Sequence, residues 1–269
     1  MFAFTLAAVL ALGLAGGCAQ GGSEGGSDSG EPIANYLDSD TQAILDGSAA
    51  LPVAVIYDYS GEGGTVSYPY YGGDIVASTV DALKQVTVVG EADEFAEDAG
   101  TALRFIAEDG LTAGTVSFNM GNLEYNGSVY RIANDEALWS LPFPTQGYGT
   151  GYLKDVMVST SVAEFANRIQ TEEPTALKVT ENGQTREIGN AEQIAGAAQA
   201  FLNATVESTQ QYEGDKAADG AVTMVFTMAD GTEYSFDFVK GALIYSFPSP
   251  LGNWAYYCDE FDNIEAVVG

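Results

Sequence analysis

Two stretches of the chain run through the same succession of patterns, and that succession limits the fold more than any single motif. In the second stretch, ALKVTENGQTREI (176–188) alternates apolar and polar residues on both sides of Asn182-Gly183, a pair suited to a tight type I′ hairpin turn. NAEQIAGAAQAFLNA (190–204) follows with helical spacing, and Asn190 is placed to cap it. VTMVFTMADGTEYSFDF (222–238) then reads as a hairpin turning at Asp230-Gly231, and GALIYSF (241–247) as another strand.

The earlier stretch keeps this order. PVAVIYDY (52–59) and TVSYPYY (65–71) flank the Gly-rich turn SGEGG, and GDIVASTVDALKQV (73–86) reads as a helix with Asp74 in its first turn. TALRFIAEDG (101–110) and TAGTVSFNM (112–120) form the next hairpin, and SVYRI (128–132) another strand. Val76, Val80 and Leu83 of one helix match Ile194, Ala198 and Phe201 of the other, both sets with the i, i+4, i+7 spacing of a buried stripe. Phe105 and Gly110 match Phe226 and Gly231. The only two tryptophans, Trp139 and Trp254, each fall the same distance after a tyrosine, Tyr130 and Tyr245.

These matches lead us to expect an α+β chain: a tandem duplication of a hairpin–helix–antiparallel-sheet unit, each sheet covered on one face by a helix. The expected boundaries are 34–159 and 160–269 for the two units. Between the copies, YLKDVMVST (152–160) reads as a strand, FPTQGYGTG as a loop before it, and SVAEFANRIQ (161–170) as a helix. Ser161 with Glu164 three residues on predicts a capping box for that helix.

Charge and residue usage exclude several functions. The 269 residues carry 38 acids against 9 bases, a net charge of −29, and the bases are scattered rather than clustered. A nucleic-acid partner needs a basic stripe to displace counterions, so that class is set aside. The acidity keeps an exported protein dispersed. Histidine is absent, which removes Ser-His-Asp and Cys-His catalysis and every His-ligated zinc site. Two cysteines are too few for an all-thiolate zinc site. No metal or cofactor is expected.

The chain begins MFAFTLAAVLALGLAGGCAQGGSEGGSDSGEP. Residues 2–17 are uncharged, and the apolar run from Leu6 to Leu14 has signal-peptide length. It is short of the roughly 20 residues a membrane span needs. Ala15, Gly16 and Gly17 lead directly into Cys18, and a Gly/Ser/acidic stretch with almost no apolar content follows. This arrangement resembles the lipobox of bacterial lipoproteins. The resemblance implies that the Cys18 thiol takes a diacylglyceryl group and becomes the N-terminus after cleavage of the signal peptide, 1–17. Ala15 stands where that family usually has Leu, and no basic residue precedes the apolar run; the latter leads us to expect a start upstream of Met1. Residues 18–33 are expected to form a flexible tether, too poor in apolar residues to fold. A diacyl anchor gives the two-chain attachment that persists on a membrane.

The remaining candidates are carboxylates and aromatics. Asp109 and Asp230 occupy equivalent Asp-Gly turns, where the pair serves turn geometry rather than catalysis. EADEFAED (Glu91, Asp93, Glu94, Glu97, Asp98) and CDEFDNIE (Asp259, Glu260, Asp262, Glu265) lack the alternating acids and central Gly of an EF-hand loop and read as solvated faces. The DSG triplet at Asp28 and the GGSEG letters around Ser23 lie in the tether, with no second Asp triplet and no histidine to complete either site. With Cys18 lipidated, Cys258 is expected as a buried free thiol. Tyr68, Tyr70 and Tyr71, together with Trp254, Tyr256 and Tyr257 in FPSPLGNWAYY, are the candidate ligand-contact aromatics. Their alternative role is to pack the sheets.

The function expected is that of a lipid-anchored protein on the outer face of the cytoplasmic membrane. It would be non-catalytic and bind an envelope glycan or a protein partner. A structural or assembly lipoprotein without a small ligand is the alternative. A hydrolase using two carboxylates alone, such as a glycosidase, is the third reading and requires two acids facing across a cleft.

Overall fold

The computed structural model describes residues 30–61, 64–93, 100–119, 121–139, 151–216 and 220–261. Cys18, Ser23, Asp28, Glu94, Glu97, Asp98, Asp262, Glu265 and most of FPTQGYGTG lie outside them. Gly30–Ile33, the end of the stretch expected as tether, is folded. Glu31–Pro32 forms a two-residue strand, β1, and Ile33 opens a 3-10 turn to Tyr36 that packs against the first two helices. Ile33 is the first large apolar side chain after the polar run, and it is buried.

The described elements continue as α1 (Ser39–Asp46), β2 (Ala54–Gly61), β3 (Gly64–Tyr71), α2 (Gly73–Gln85) and β4 (Thr87–Ala92). A four-strand meander follows: β5 (Thr101–Ile106), β6 (Thr112–Asn119), β7 (Asn122–Tyr125) and β8 (Ser128–Ala133). Three short helices come next: α3 (Glu136–Trp139), α4 (Leu153–Val156) and α5 (Ser161–Arg168). The remainder is β9 (Ala176–Glu181), β10 (Gln184–Ile188), α6 (Ala191–Asn203), β11 (Val206–Gln211), β12 (Ala221–Thr227), β13 (Glu233–Val239), β14 (Ala242–Ser246) and β15 (Asn253–Cys258).

The strands form two antiparallel sheets. The first has the order β1-β4-β8-β7-β6-β5-β2-β3, the second β10-β9-β12-β13-β14-β15-β11. Leaving β1 aside, both run from hairpin through meander to the strand after the long helix: β3-β2-β5-β6-β7-β8-β4 beside β10-β9-β12-β13-β14-β15-β11. In each, a helix of 13 residues, about 20 Å long at 1.5 Å per residue, carries the chain from the hairpin edge toward the far edge. Each strand at that far edge bulges at its start, β4 between Val88 and Gly90 and β11 between Val206 and Ser208. With β1 again left aside, each sheet is also preceded by an eight-residue helix, α1 or α5.

Side-chain alternation explains the layering. In β12 and β13, Val222, Met224, Phe226, Tyr234, Phe236 and Phe238 all point to one buried face. Val76, Val80 and Leu83 of α2 and Ile194, Ala198 and Phe201 of α6 are buried, as their spacing predicts. Phe201 meets Phe165, Phe226 and Phe236 at ring separations of 5.4, 5.7 and 4.6 Å. The first sheet fills the same layer with tyrosines. Tyr57 packs edge-on against Tyr70 at 5.5 Å, and its hydroxyl lies 3.0 Å from Thr79 Oγ1 of α2.

Three local expectations are corrected. Residues 153–156 are helical rather than strand, because Leu153, Val156 and Met157 are buried at i, i+3, i+4, the spacing of a helix face. That helix packs with α5 and α6. The cap of α5 is Thr160, whose Oγ1 accepts the Ala163 N–H at 3.3 Å; Glu164 instead accepts the Tyr234 hydroxyl at 2.8 Å, so there is no capping box. The tryptophans are not matched either. Trp139 ends α3, after the meander, whereas Trp254 lies within the last strand, β15. Tyr130 is on β8 and Tyr245 on β14, which hold different places in their sheets, so SVYRI corresponds in position to NWAYYC and not to GALIYSF.

Candidate functional site

The two sheets meet edge to edge. β3, the hairpin edge of the first, lies against β11, the far edge of the second. Among the described residues, no regular ladder joins them. Thr209 of β11 bridges them with its side chain: Oγ1 accepts the Ser67 N–H at 3.1 Å and donates to the Ser67 carbonyl. The Ser67 hydroxyl in turn donates to Asp58 at 2.5 Å, and Asp58 is held by Arg104 through Nε at 2.5 Å and Nη2 at 3.1 Å. Further along the seam, a Cβ on Gly110 would sit 3.2 Å from Pro250 Cβ, so the Ala107–Leu111 turn touches the Phe247–Gly252 loop.

A cleft of about 180 Å³ opens where β3 ends at this seam. Pro69, Tyr70 and Tyr71 form one wall, the α4–α5 turn from Val156 to Thr160 the floor, and Tyr245, Phe247 and Pro248 the other wall. Local chemistry sets each side. Tyr245 and Phe247 alternate onto one face at the end of β14 and pack edge-on at 4.8 Å, before Pro248 takes the chain out of the strand. The turn is tightened at Ser159, whose φ is +59°, and by Thr160 Oγ1 donating to the Met157 carbonyl. The opposite loop closes through Phe247 N–H to Gly252 O at 2.9 Å, and Trp254 Nε1 donates to Leu251 O at 3.2 Å beneath it.

The six aromatics proposed from the sequence divide by burial. Tyr68, Tyr70, Trp254 and Tyr256 are core residues, 0–5 % exposed, and their expected role as an exposed binding face is corrected for that reason. Each lies on the strand face that turns toward the helices. Tyr70 still backs the cleft, with its hydroxyl buried and pushed to high pKa by desolvation and the neighbouring Tyr59, Tyr256, Tyr57 and Tyr68. Tyr71 is half-buried and lines the cleft directly. Tyr257 is half-buried on the opposite face of the second sheet, where its hydroxyl accepts from Gln210 at 2.8 Å. Sequence reasoning missed Tyr245, Phe247 and the 156–160 turn. An alternating aromatic pair ending at a proline was the signal available for the first two.

Catalytic groups are not gathered here. Among the described residues, the cleft is lined by no carboxylate. Asp109 and Asp230 sit in matching turns, accepting the backbone N–H of Leu111 and Thr232 at 3.0 and 2.9 Å, while Gly110 and Gly231 each take φ +85°. Among the described residues, no group of three or more Cys, Asp or Glu is placed to hold a metal ion. Cys258 is buried, and desolvation pushes its thiol pKa well up, so it remains a neutral apolar side chain at physiological pH. No described helix is long and apolar enough to cross a membrane.

No family model and no curated protein matches the chain. Among solved structures, the Bacillus subtilis inhibitor of motility MotI/DgrA aligns over 82 % of this chain and 96 % of its own, at 6 % identity. Its TM-score of 0.16 is too low for the alignment to bear on fold or function.

Proposed function

We propose that the protein is a lipid-anchored cell-envelope lipoprotein whose body is a tandem duplication of one α+β unit, joined so that the seam between the copies forms a binding cleft. The anchor is the Cys18 thiol, on the strength of the apolar run, the small residues before Cys18 and the polar stretch after it. The duplication is supported by the common strand order of the two sheets and their matched helices. The observation that carries the binding role is the aromatic-walled cleft at the seam. Ligand pockets for whole metabolites run to about 300 Å³ or more. At about 180 Å³, this one takes a single sugar ring or one side chain of a protein partner.

Aromatic walls with the Ser159 and Thr160 hydroxyls at the floor suit either ligand, and neither needs a cofactor. The described lining residues supply hydroxyls and aromatic rings rather than the facing pair of carboxylates that glycoside hydrolysis uses. Photo-cross-linking in living cells tests the role, with Phe247 replaced by benzoylphenylalanine in the full chain and the same replacement at exposed Glu187 as control. A discrete glycan or protein adduct at position 247 and none at 187 is the expected result. No adduct at 247, or equal adducts at both, removes the cleft as a binding site.

A further inference from the structure

The sequence holds two Asn-x-Ser/Thr triplets, Asn126-Gly127-Ser128 and Asn203-Ala204-Thr205. Such a triplet is the acceptor for an N-linked glycan when the chain is exported and the Asn lies on its surface. By sequence the two have equal standing; the fold separates them. Asn203 ends α6, and its side-chain carbonyl accepts Gln199 Nε2 at 3.1 Å. Ala204 is buried; its N–H donates to the Ala200 carbonyl and its carbonyl accepts the Leu153 N–H, both at 2.8 Å. The Thr205 N–H donates to the Asp259 carboxylate at 3.1 Å. Drawing this triplet into an enzyme site would undo the end of α6 and its joint with α4.

The other triplet sits at a hairpin tip. Asn126 and Gly127 are the central residues of the turn between β7 and β8, with φ +52° and +75°, and Tyr125 pairs with Ser128 across it. Positive φ at both positions is the type I′ geometry that Asn-Gly favours. Asn126, Gly127 and Ser128 are all exposed, which puts the acceptor amide and the hydroxyl two residues on at the surface together. Glu124, exposed as well, sets a carboxylate two residues ahead of the Asn.

We propose that Asn126 is an N-glycosylation site whose donor is an oligosaccharide linked to polyprenyl diphosphate at the outer face of the membrane. The proposal rests on the envelope reading above, because donor and transferase act outside the cytoplasm. Asn126 Nδ2 forms a C–N bond to the anomeric carbon of the reducing-end sugar. The bond from that carbon to the diphosphate oxygen breaks, polyprenyl diphosphate leaves, and the amide proton passes to a carboxylate of the transferase. The Ser128 hydroxyl positions the triplet in that enzyme, and Glu124 pairs with a basic group there. Asn203 stays unmodified in the folded chain.

Mass spectrometry of the full chain purified from its native cells tests this, with peptide mapping to read lipid at Cys18 and glycan at Asn126 in one sample. An oligosaccharide adduct on Asn126 and none on Asn203 is the expected result. Asn126→Asp keeps a residue that tolerates the turn, and Ser128→Ala keeps the Asn itself; each should abolish the adduct without moving the thermal midpoint. Glu124→Gln should lower its occupancy severalfold. A chain with lipid at Cys18 but no glycan at Asn126 overturns the proposal and leaves the envelope reading standing, whereas a chain with neither overturns both. Glycan without lipid supports the proposal and removes only the anchor. Glycan on Asn203 alone, or an adduct on Asn126 that survives Ser128→Ala, also overturns it.

Discussion

Thr209 occupies a position that a row of backbone groups would otherwise fill. The edges of β3 and β11 approach without laddering, and one hydroxyl satisfies both the N–H and the carbonyl of Ser67. Valine has the same shape and can do neither. Thr209→Val is expected to cost about 1–3 kcal/mol, the penalty for part-buried polar groups that lose their partner. Hydrogen exchange should locate the loss, speeding the Ser67 amide and leaving that of Val55 in the sheet interior unchanged. Asp230 makes a different residue-scale statement. The Thr232 backbone N–H, and then Arg168 at 2.7 Å, hold its carboxyl down to about 2 from an ordinary 3.8. Its folded pKa is depressed, so its contribution is complete above the unfolded value and disappears as pH falls through the folded one. The gap in unfolding midpoint between native protein and Asp230→Asn should therefore persist above about pH 4, narrow from there to pH 2, and vanish below.

At the scale of elements, α1 shows how closely the helices lie on the sheets. Gly114 of β6 faces it, and a Cβ there would fall 2.5 Å from Thr41 Oγ1 and 3.1 Å from Thr41 Cα. Thr41 cannot swing aside, because its hydroxyl donates to Asp38 at 2.9 Å and accepts the Thr115 N–H at 3.1 Å. Gly114→Ala is expected to cost about 1–3 kcal/mol by overpacking, measured by denaturant unfolding. The long helices were legible in the sequence because their apolar residues recur with helical period. The Asp-Gly hairpins were legible because turn chemistry is local. β4 and β11 were not read at all. VESTQQ carries polar side chains on both faces of an edge strand, and the bulges break the alternation that marks a strand. α4 was misread because one helical turn offers too few residues to separate its period from that of a strand. Of the candidate site, Tyr71 and the backing Tyr70 were found by composition, but the Val156–Thr160 floor comes from a segment far from both aromatic stretches. Only the meeting of the two sheets brings it to the cleft.

At the scale of the whole molecule, two sheets of common order sit head to tail, and the proposed binding role turns on their junction. The seam sets the cleft. The proposed binding role suits a protein held at a surface by one end. The proposed envelope role depends most on the anchor, which metabolic labelling with a radioactive fatty acid tests directly in cells expressing the native chain or its Cys18→Ser variant. Label on the native chain and none on the variant is the predicted result; equal label on both, or none on either, would contradict lipid attachment at Cys18 and the envelope role built on it.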